Sequence, residues 1–327
     1  MIPVKGEPTI MTTHDTRPTS PTRRLALADG GFAMVALDQR ESLRRMFPAV
    51  HGAEVDDDTL RRFKRDALEV LSPLASAVLL DRLYAIDDAR PAELDDAAAL
   101  IVAADVLNQP AGEPVFDTSL DPEVTVEYLH QVGADALKLL VIWRASDSAD
   151  ERAALVDSFL ALSREAGVLS LVEGIVRPSD GREHWADHAE RHEAILAAAA
   201  ELGTTGTDLY KAEVPGYIPG DVSKVREHSE RLTALVPVPW VVLSNGVAQA
   251  DFADALREAV AGGASGFLAG RAIWSDTVAE DDPASALRSR SVARLDALGG
   301  IVSETRGNRA ASGNGQGGTP GGGEGAQ

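Results

Sequence analysis

The feature that most constrains the fold of this chain is a series of eight short, almost continuously apolar segments that alternate with longer amphipathic ones. Strands that are buried on both faces and joined by helical crossovers are typical of a parallel sheet. The eight predicted strands cover residues 32–37, 76–81, 100–104, 136–142, 169–173, 207–215, 240–244 and 266–270. Eight such units in about 280 residues predict an α/β fold, a single-domain (β/α)8 TIM barrel.

The segments between these strands have the apolar periodicity of helices. The predicted helices cover residues 57–71, 92–99, 122–133, 149–167, 183–202, 222–235, 250–261 and 284–298. An open, doubly wound sheet is the alternative arrangement of the same units. Such a sheet usually has a glycine-rich phosphate fingerprint after its first strand, and this chain has none there, so the barrel is favoured.

Composition limits the possible partners. The formal net charge is −20 and the chain contains no cysteine. Nucleic acid and anionic membrane both need basic protein surface, so neither is expected as a partner. The lack of cysteine excludes disulfides, zinc–thiolate sites and cysteine nucleophiles. Because there is no apolar run long enough to span a bilayer and no apolar signal core, the sequence predicts a cytoplasmic protein.

The two ends of the chain differ from the barrel segments. Residues 1–21 are mostly polar and contain several prolines, which predicts a flexible extension. Residues 306–327 include nine glycines among 22 residues, which predicts a disordered tail. The folded barrel is therefore expected to cover residues 22–305.

Polar residues in the predicted strands are concentrated near their carboxyl ends. These residues are Asp38, Asp81, Lys138, Glu173, Lys211, Ser244 and Arg271. Each has a structural explanation taken singly, such as helix capping or ion pairing. In a barrel, however, the carboxyl ends of the strands converge on one mouth, where active sites are built. The shared placement of these seven residues predicts a functional site there.

Lys211 lies within an apolar strand, where an unpaired ammonium group costs several kcal/mol. An ion pair with Glu213, which is on the same side of the strand, is one way to relieve that cost. The other is a neutral lysine that serves as a nucleophilic amine. Lys138 lies two strands away as a charge partner, and a second cation favours the neutral form of Lys211. Glu173 lies on the strand between them, where it can exchange a proton as a general acid or base.

The last two predicted strands end in a pattern suited to an anion. A phosphate site after strands seven and eight is a recurrent feature of such barrels. The predicted anion-binding residues are Ser244, Gly246, Gly270 and Arg271, with Gln39 and Arg40 as further candidates near the same mouth. Glycine lets backbone N–H groups approach an anion, and arginine supplies a bidentate donor. Tight turns are the alternative explanation for the two glycines.

His184, His188 and His192 are spaced by four residues on one predicted helix, a spacing that can hold zinc. That helix precedes the sixth strand and is expected on the outside of the barrel, with Ile195 and Leu196 facing inward. Its charged neighbours favour a solvated amphipathic helix. We therefore expect no metal and no cofactor.

Several motifs together resemble the class I (Schiff-base) aldolases of the tagatose-bisphosphate and sulfofructose-phosphate type. They span residues 30–34, 38–41, 71–73, 80–81, 101–105, 136–140, 208–213 and 264–272. The resemblance implies that Lys211 forms the Schiff base and that Lys138 and Glu173 take the family's strand-four and strand-five positions. Asp38 is a further candidate catalytic residue.

Within this family, Glu41 after Asp38-Gln-Arg matches the sulfosugar branch. The resemblance therefore implies cleavage of 6-deoxy-6-sulfofructose 1-phosphate to dihydroxyacetone phosphate and 3-sulfolactaldehyde by a homo-oligomer. A tagatose-bisphosphate or other ketose-phosphate aldolase is the alternative, and a non-catalytic sugar-phosphate sensor is an alternative of another class. Gly174 and Asn245 depart from the family pattern.

Overall fold

The computed structural model describes residues 21–48, 55–108, 115–179, 182 and 184–314 of the 327-residue chain. Its strands are β1 (Phe32–Ala36), β2 (Ala77–Leu80), β3 (Ala99–Ala103), β4 (Asp105–Asn108), β5 (Asp117–Leu120), β6 (Ala136–Trp143), β7 (Leu169–Val176), β8 (Leu209–Ala212), β9 (Trp240–Val242) and β10 (Gly266–Ala269). Eight of them close a parallel barrel in the order β1-β10-β9-β8-β7-β6-β3-β2. The predicted (β/α)8 barrel is confirmed, and the open sheet is wrong.

The helices are α1 (Glu41–Arg44), α2 (Asp57–Leu71), α3 (Val126–Gln131), α4 (Ala149–Ala166), α5 (His188–Leu202), α6 (Val225–Leu235), α7 (Phe252–Ala261), α8 (Arg271–Trp274), α9 (Pro283–Ala286) and α10 (Val292–Asn314). Shorter 3-10 turns cover Pro21–Leu25, Ser72–Leu74 and Ser275–Thr277, and a π-helical turn covers Leu287–Ser291. The longer helices follow barrel strands and cover the outside of the sheet, as the fold requires.

Two helices begin later than the apolar periodicity predicts, because capping side chains determine their first turns. Asp187 accepts a hydrogen bond from the N–H of Glu190, so α5 starts at His188 rather than near 183. Thr125 accepts from the N–H of Tyr128 and starts α3.

The helix predicted over 92–99 is wrong. That stretch forms turns, and the Ser72 hydroxyl bonds to the carbonyl of Glu93 and to the N–H of Asp95, so these backbone groups are satisfied without a helix.

The antiparallel hairpin of β4 and β5 was not predicted. It follows β3 directly and lies outside the barrel sheet. Its strands carry alternating polar residues and few apolar ones, so they lack the buried-strand signal that identifies the other eight.

The last helix corrects the predicted boundary at residue 305. Helix α10 continues to Asn314, and the Arg309 guanidinium on this extension donates to the carbonyl of Val260 on α7. Residues 1–20 and 315–327, which hold most of the two predicted tails, lie outside the described residues. No helix within the described residues is long and apolar enough to cross a membrane.

The barrel interior has an apolar lower part and a charged upper part, because side chains alternate between the interior and the helices along each strand. The lower part is filled by Leu25, Phe32, Met34, Leu79, Ile101, Leu171, Leu209, Val241 and Leu268, all buried. The upper part holds the buried polar residues Asp105, Lys138, Glu173 and Lys211. A dry lower core and polar strand ends place the functional chemistry at the C-terminal mouth.

Candidate active site

Lys211, the central residue of the predicted site, contacts a buried carboxylate on the neighbouring strand. In the register of β7 and β8, Glu173 lies directly beside Lys211. The Lys211 Nζ lies 2.9 Å from Glu173 Oε2, and the Nζ of Lys138 lies 3.1 Å from the same oxygen. All three side chains are buried, so one carboxylate oxygen joins two lysines inside the barrel mouth.

Lys138 is surrounded by carboxylates. Its Nζ donates to Asp38 Oδ2 at 2.9 Å and to Asp105 Oδ2 at 3.0 Å, in addition to its contact with Glu173. Burial acts to lower the pKa of Lys138, but the carboxylates outweigh it and hold that pKa well above its usual value. Lys138 is therefore a fixed positive charge. We call Asp38, Asp105, Lys138, Glu173 and Lys211 the lysine pocket.

Asp38 has the complementary shift. Burial acts to raise the pKa of Asp38, but Lys138 and Lys211 outweigh burial and hold that pKa well below its usual range. Asp38 is thus a carboxylate at neutral pH, and its negative charge is matched mainly by Lys138.

Asp105 belongs to this network, and the sequence interpretation did not include it. Its Oδ2 also accepts from the N–H of Leu140 at 3.0 Å, and its Oδ1 lies 3.4 Å from Arg40 Nη2. Asp105 follows an apolar strand in the same way as Asp38 does, so the same strand-end signal could have identified it.

Glu213 does not pair with Lys211, so the ion pair first weighed for this strand is wrong. Glu213 Oε1 instead binds Arg191 Nη2 at 2.8 Å, and its Oε2 accepts from the N–H of Val176 at 2.9 Å. Arg191 comes from α5 and reaches over the strand end. Glu213 therefore has its own partners and leaves Lys211 to Glu173.

Asp81 does not join the site either. It pairs with Lys64, a buried lysine of α2, and its second oxygen accepts from the N–H of Tyr84 at 2.9 Å. The partner of Asp81 thus comes from a helix, α2, and not from a neighbouring strand. Among the seven strand-end residues, Asp81 is the one whose pairing with a helix residue gives it a structural role.

The predicted anion-binding residues lie together after β9 and β10. Gly246 has a φ of 77°, in the left-handed region that favours glycine. The Arg271 guanidinium donates to the side-chain oxygen of Asn245, and the Ser244 hydroxyl accepts from the N–H of Ala272 at 3.4 Å. Asn245 thus orients Arg271, which the sequence could not show. Burial lowers the pKa of Arg271, while Glu173 and Asp38 oppose that effect.

Packing requires a glycine at position 270, whether or not this residue also contacts a ligand. A Cβ at this position would lie 2.6 Å from the carbonyl oxygen of Ala36 and 3.0 Å from Gln39 Nε2. Gln39 is therefore close to the turn that carries Arg271. Arg40 lies on the other side of the mouth, beside Asp105, so the two added anion candidates do not act as one unit.

The departure at Gly174 also has a steric cause. A Cβ there would come within 2.4 Å of the Tyr210 hydroxyl oxygen and 3.3 Å of Leu202 Cδ1. A side chain next to Glu173 would displace Tyr210, which precedes Lys211, so glycine preserves the register of the two strands.

Arg177 is a further residue at the mouth that the sequence interpretation missed. Burial lowers its pKa, and Glu213 acts in the opposite direction. Three nearby guanidinium groups also lower it, those of Arg144, Arg191 and Arg271. A cavity of about 1080 Å³ lies beside this cluster, with Arg144, Arg177, Ile142 and Phe116 in its wall. None of the lysine-pocket residues line this cavity.

The three histidines do not form the predicted helical stripe, since His184 precedes α5. His192 is buried rather than solvated, and its Nδ1 accepts from the N–H of Gly216 at 3.2 Å. Its ring stacks near His188 and lies 5.1 Å from that of His228. Within the described residues, no group of three or more His, Asp or Glu side chains is placed to hold a metal ion. Ile195 and Leu196 face the core as predicted.

The sequence matches a family of known enzymes. The model of the DeoC/LacD family of aldolases matches residues 32–276. The chain belongs to this family. It is therefore an aldolase, a lyase that acts on a carbon–carbon bond, and the family resemblance drawn from the motifs is confirmed. The sulfofructose-phosphate branch stays a prediction.

Curated relatives of this aldolase cover most of its length. A tagatose 1,6-diphosphate aldolase from Listeria monocytogenes serotype 4a is 27% identical over 276 residues, which cover 78% of this chain and 81% of the relative. Tagatose 1,6-diphosphate aldolase 2 from Streptococcus pyogenes serotype M3 is 26% identical over 311 residues, covering 85% and 92%.

Solved structures support the fold. An archaeal fructose 1,6-bisphosphate aldolase superposes with a TM-score of 0.56 at 17% identity, covering 87% of this chain and 98% of that one. A second archaeal fructose-1,6-bisphosphate aldolase, solved with its catalytic lysine covalently bound to the carbinolamine intermediate, gives 0.53 at 16% identity and covers 85% and 98%. At these identities the likeness concerns the barrel alone.

Proposed function

We propose that this aldolase cleaves a six-carbon 2-ketose 1-phosphate through a Schiff base on Lys211. One observation carries the proposal: the buried Lys211 Nζ lies 2.9 Å from Glu173 Oε2, an oxygen shared with the permanently charged Lys138. A lysine amine needs a neighbouring group that takes and returns protons. The covalent lysine intermediate of the archaeal structural neighbour is the corresponding chemistry on a similar barrel.

The proposed reaction proceeds through covalent intermediates on Lys211. The Lys211 amine adds to the C2 carbonyl to give a carbinolamine, which loses water and becomes an iminium ion. The C3–C4 electron pair moves into the iminium to form an enamine, while Glu173 accepts the C4 hydroxyl proton and the aldehyde leaves. Glu173 then returns a proton to C3, and hydrolysis of the imine releases dihydroxyacetone phosphate and Lys211. The iminium is the electron sink for these steps.

The other members of the lysine pocket act on charge and position. Lys138 keeps its proton because Asp38 and Asp105 hold it, so it supplies a fixed positive charge beside Glu173. Ser244, Gly246, Gly270 and Arg271 are proposed to bind the C1 phosphate, with Asn245 orienting the guanidinium.

The substrate that we propose is 6-deoxy-6-sulfofructose 1-phosphate, which gives dihydroxyacetone phosphate and 3-sulfolactaldehyde. The sequence feature that supports this substrate is Glu41, whose carboxylate accepts from Arg44 Nε at 3.2 Å in an ion pair at the start of α1. Tagatose 1,6-bisphosphate is the second candidate, because the curated relatives are tagatose 1,6-diphosphate aldolases.

A direct comparison tests the proposed reaction. Release of dihydroxyacetone phosphate is followed with the sulfonated ketose and with tagatose 1,6-bisphosphate, for the wild type and for Lys211→Ala. We expect a higher kcat/KM for the sulfonated substrate, and for Lys211→Ala a loss of roughly 10^4- to 10^6-fold on both, the scale seen when a covalent nucleophile is removed. A higher kcat/KM for tagatose 1,6-bisphosphate selects the second candidate. Binding without turnover of either would indicate a sugar-phosphate sensor.

A further inference from the structure

Two barrel strands extend beyond the others at the mouth. Strands β6 and β7 each have eight residues, whereas the other barrel strands have three to five. They pair along their whole length, as far as Trp143 beside Val176, and the N–H of Arg177 continues the ladder to the carbonyl of Trp143 at 2.9 Å. The two strands thus form a raised wall above the lysine pocket.

The inner face of this wall follows the alternation of strand side chains. On β7 it carries Glu173 and then Ile175, which packs in an apolar cluster with Ile142 of β6. Arg177 is the next residue in that alternation, just past the end of the strand. A side chain of the lysine pocket, an apolar side chain and then a guanidinium follow one another along a rise of roughly 13 Å, at about 3.3 Å per residue.

Arg177 differs from its neighbours in its partners. Arg144, Arg152, Arg182 and Arg191 each pair with a carboxylate, those of Asp147, Glu201, Glu190 and Glu213 respectively. Within the described residues, Arg177 has no salt bridge, and its Nη1 donates to the carbonyl of Val176 at 3.0 Å. A partly buried guanidinium without a salt bridge is unfavourable, so this position suits an anionic ligand.

The adjoining cavity has room for the ligand. Its volume of about 1080 Å³ is at the upper end of what small-molecule sites occupy, and Arg177 and Pro178 form part of its wall. Three carboxylates also border it, those of Asp117, Asp147 and Glu151, and all three residues are exposed to solvent. The half-buried cation therefore lies deeper in the wall than the acidic groups do.

The two arginines differ in where the fold places them. Arg177 lies four residues beyond Glu173, just past the end of β7, whereas Arg271 follows β10 and bonds to Asn245 in the loop after β9. Arg271, at the strand ends, therefore suits an anion on C1, next to the imine carbon. An anion on C6 is four carbons from the imine carbon and has to reach farther.

We propose that Arg177 binds the oxyanion at C6 of the ketose, a phosphate or a sulfonate, and that Arg144 lies beside it as a weaker contributor. This inference rests on the proposed function, since it concerns the same substrate. A guanidinium presents paired N–H donors to either oxyanion, so charge and geometry recognise both groups. Both groups present three terminal oxygens, so their different charges decide which one binds more tightly.

The test is the dependence of the Arg177→Gln effect on the C6 group. Values of kcat/KM are compared for a ketose 1-phosphate with an uncharged C6, for the 1,6-bisphosphate and for the 6-sulfonated 1-phosphate. We expect losses of roughly 10- to 150-fold on substrates with an anion at C6, the range for hydrogen bonds to charged groups, and almost none on the uncharged one. The ratio of the two losses shows whether phosphate or sulfonate depends more on Arg177.

Arg182→Gln is the matched control, because this cavity arginine is held by Glu190. It should change all three substrates alike. Equal losses by Arg177→Gln on all three substrates, or no loss on any, would overturn the proposal.

A binding measurement tests the role of Arg177 independently of whether the proposed reaction takes place. In a Lys211→Met background, calorimetry compares the 1,6-bisphosphate with the 1-phosphate, and Arg177→Gln should weaken only the bisphosphate. This measurement answers whether Arg177 binds the C6 anion even if no turnover is found. Borohydride trapping with dihydroxyacetone phosphate, which has no C6, should be retained in Arg177→Gln, because that reaction depends on Lys211.

Discussion

Two groups of buried lysines differ in how their charge is balanced. In one, Lys64 of α2 and Asp81 form a one-to-one pair, with Tyr84 covering the ammonium at 5.5 Å. In the other, Glu173 contacts both Lys211 and Lys138, and Lys138 contacts two further carboxylates. Burial outweighs Asp81 and lowers the pKa of Lys64, whereas three carboxylates hold the pKa of Lys138 well above its usual value.

The comparison shows that burial of a lysine is not by itself a sign of catalysis. Lys64 and Lys138 are equally buried, at 1% relative exposure, and Lys211 is close to them at 4%. The ratio of amines to carboxylates separates the two groups.

Glu173→Gln should affect chemistry and spare folding. The amide keeps the size of the side chain but cannot accept the C4 proton, so kcat should fall by about 10^2- to 10^4-fold, the range for general acid–base groups. Steady-state kinetics with the ketose substrate provide the measurement. Unchanged kcat would remove Glu173 from its proposed role and leave the shared contact as a structural one.

Lys64→Met should do the opposite. It leaves Asp81 as a buried, unpaired carboxylate, which costs roughly 3–5 kcal/mol of unfolding free energy, while kcat per folded molecule is retained. Urea denaturation and active-site titration measure the two quantities. The double variant Lys64→Met/Asp81→Leu should recover most of the lost stability, because both charges are gone. A large loss of kcat in folded Lys64→Met would erase the distinction between the two lysine groups.

His192, another buried titratable group on the outer wall, gives the smallest effect. Burial, then His228, Arg191 and His188, lower its pKa to about 4, whereas an unfolded chain has about 6.5. The folded pKa is depressed, so the stabilisation is present above pH 6.5 and is lost as pH falls towards 4. The expected loss is roughly 1–2 kcal/mol over that interval.

The measurement is urea denaturation at several pH values between 4 and 7 for the wild type and His192→Asn, whose side-chain oxygen can still accept from the N–H of Gly216. His228→Gln is the control for the neighbouring ring. The variant should have a flatter dependence on pH, and equal slopes for His192→Asn and the wild type would assign the pH dependence to other groups.

The fold could be predicted because its strands are buried on both faces. That requirement leaves an unbroken apolar signal at β1, β6 and β10, and the alternation with helices then selects a barrel. The β4–β5 hairpin lacks that burial and was missed. The end of α10 was also misjudged, since glycine content argued for disorder while the Arg309 contact with α7 could not be seen from sequence.

The sequence could show which polar residues lie at the ends of strands, but it could not show which side chains they pair with. Convergence at the mouth correctly placed Lys211, Glu173, Lys138 and Asp38 together. Glu213 and Asp81 have the same sequence signal as these residues, but their partners, Arg191 and Lys64, come from helices. Whether a strand-end carboxylate faces the mouth or a helix depends on side-chain direction and helix packing, which strand periodicity does not specify.

The most direct test of the account is borohydride reduction in the presence of dihydroxyacetone phosphate, followed by peptide mass mapping. The account predicts one adduct, on the peptide that contains Lys211, because this amine faces a proton-exchanging carboxylate. Lys138 is held protonated by Asp38 and Asp105 and should stay unmodified. An adduct on Lys138, or no adduct on the Lys211 peptide, would contradict the assignment of Lys211 as the Schiff-base lysine.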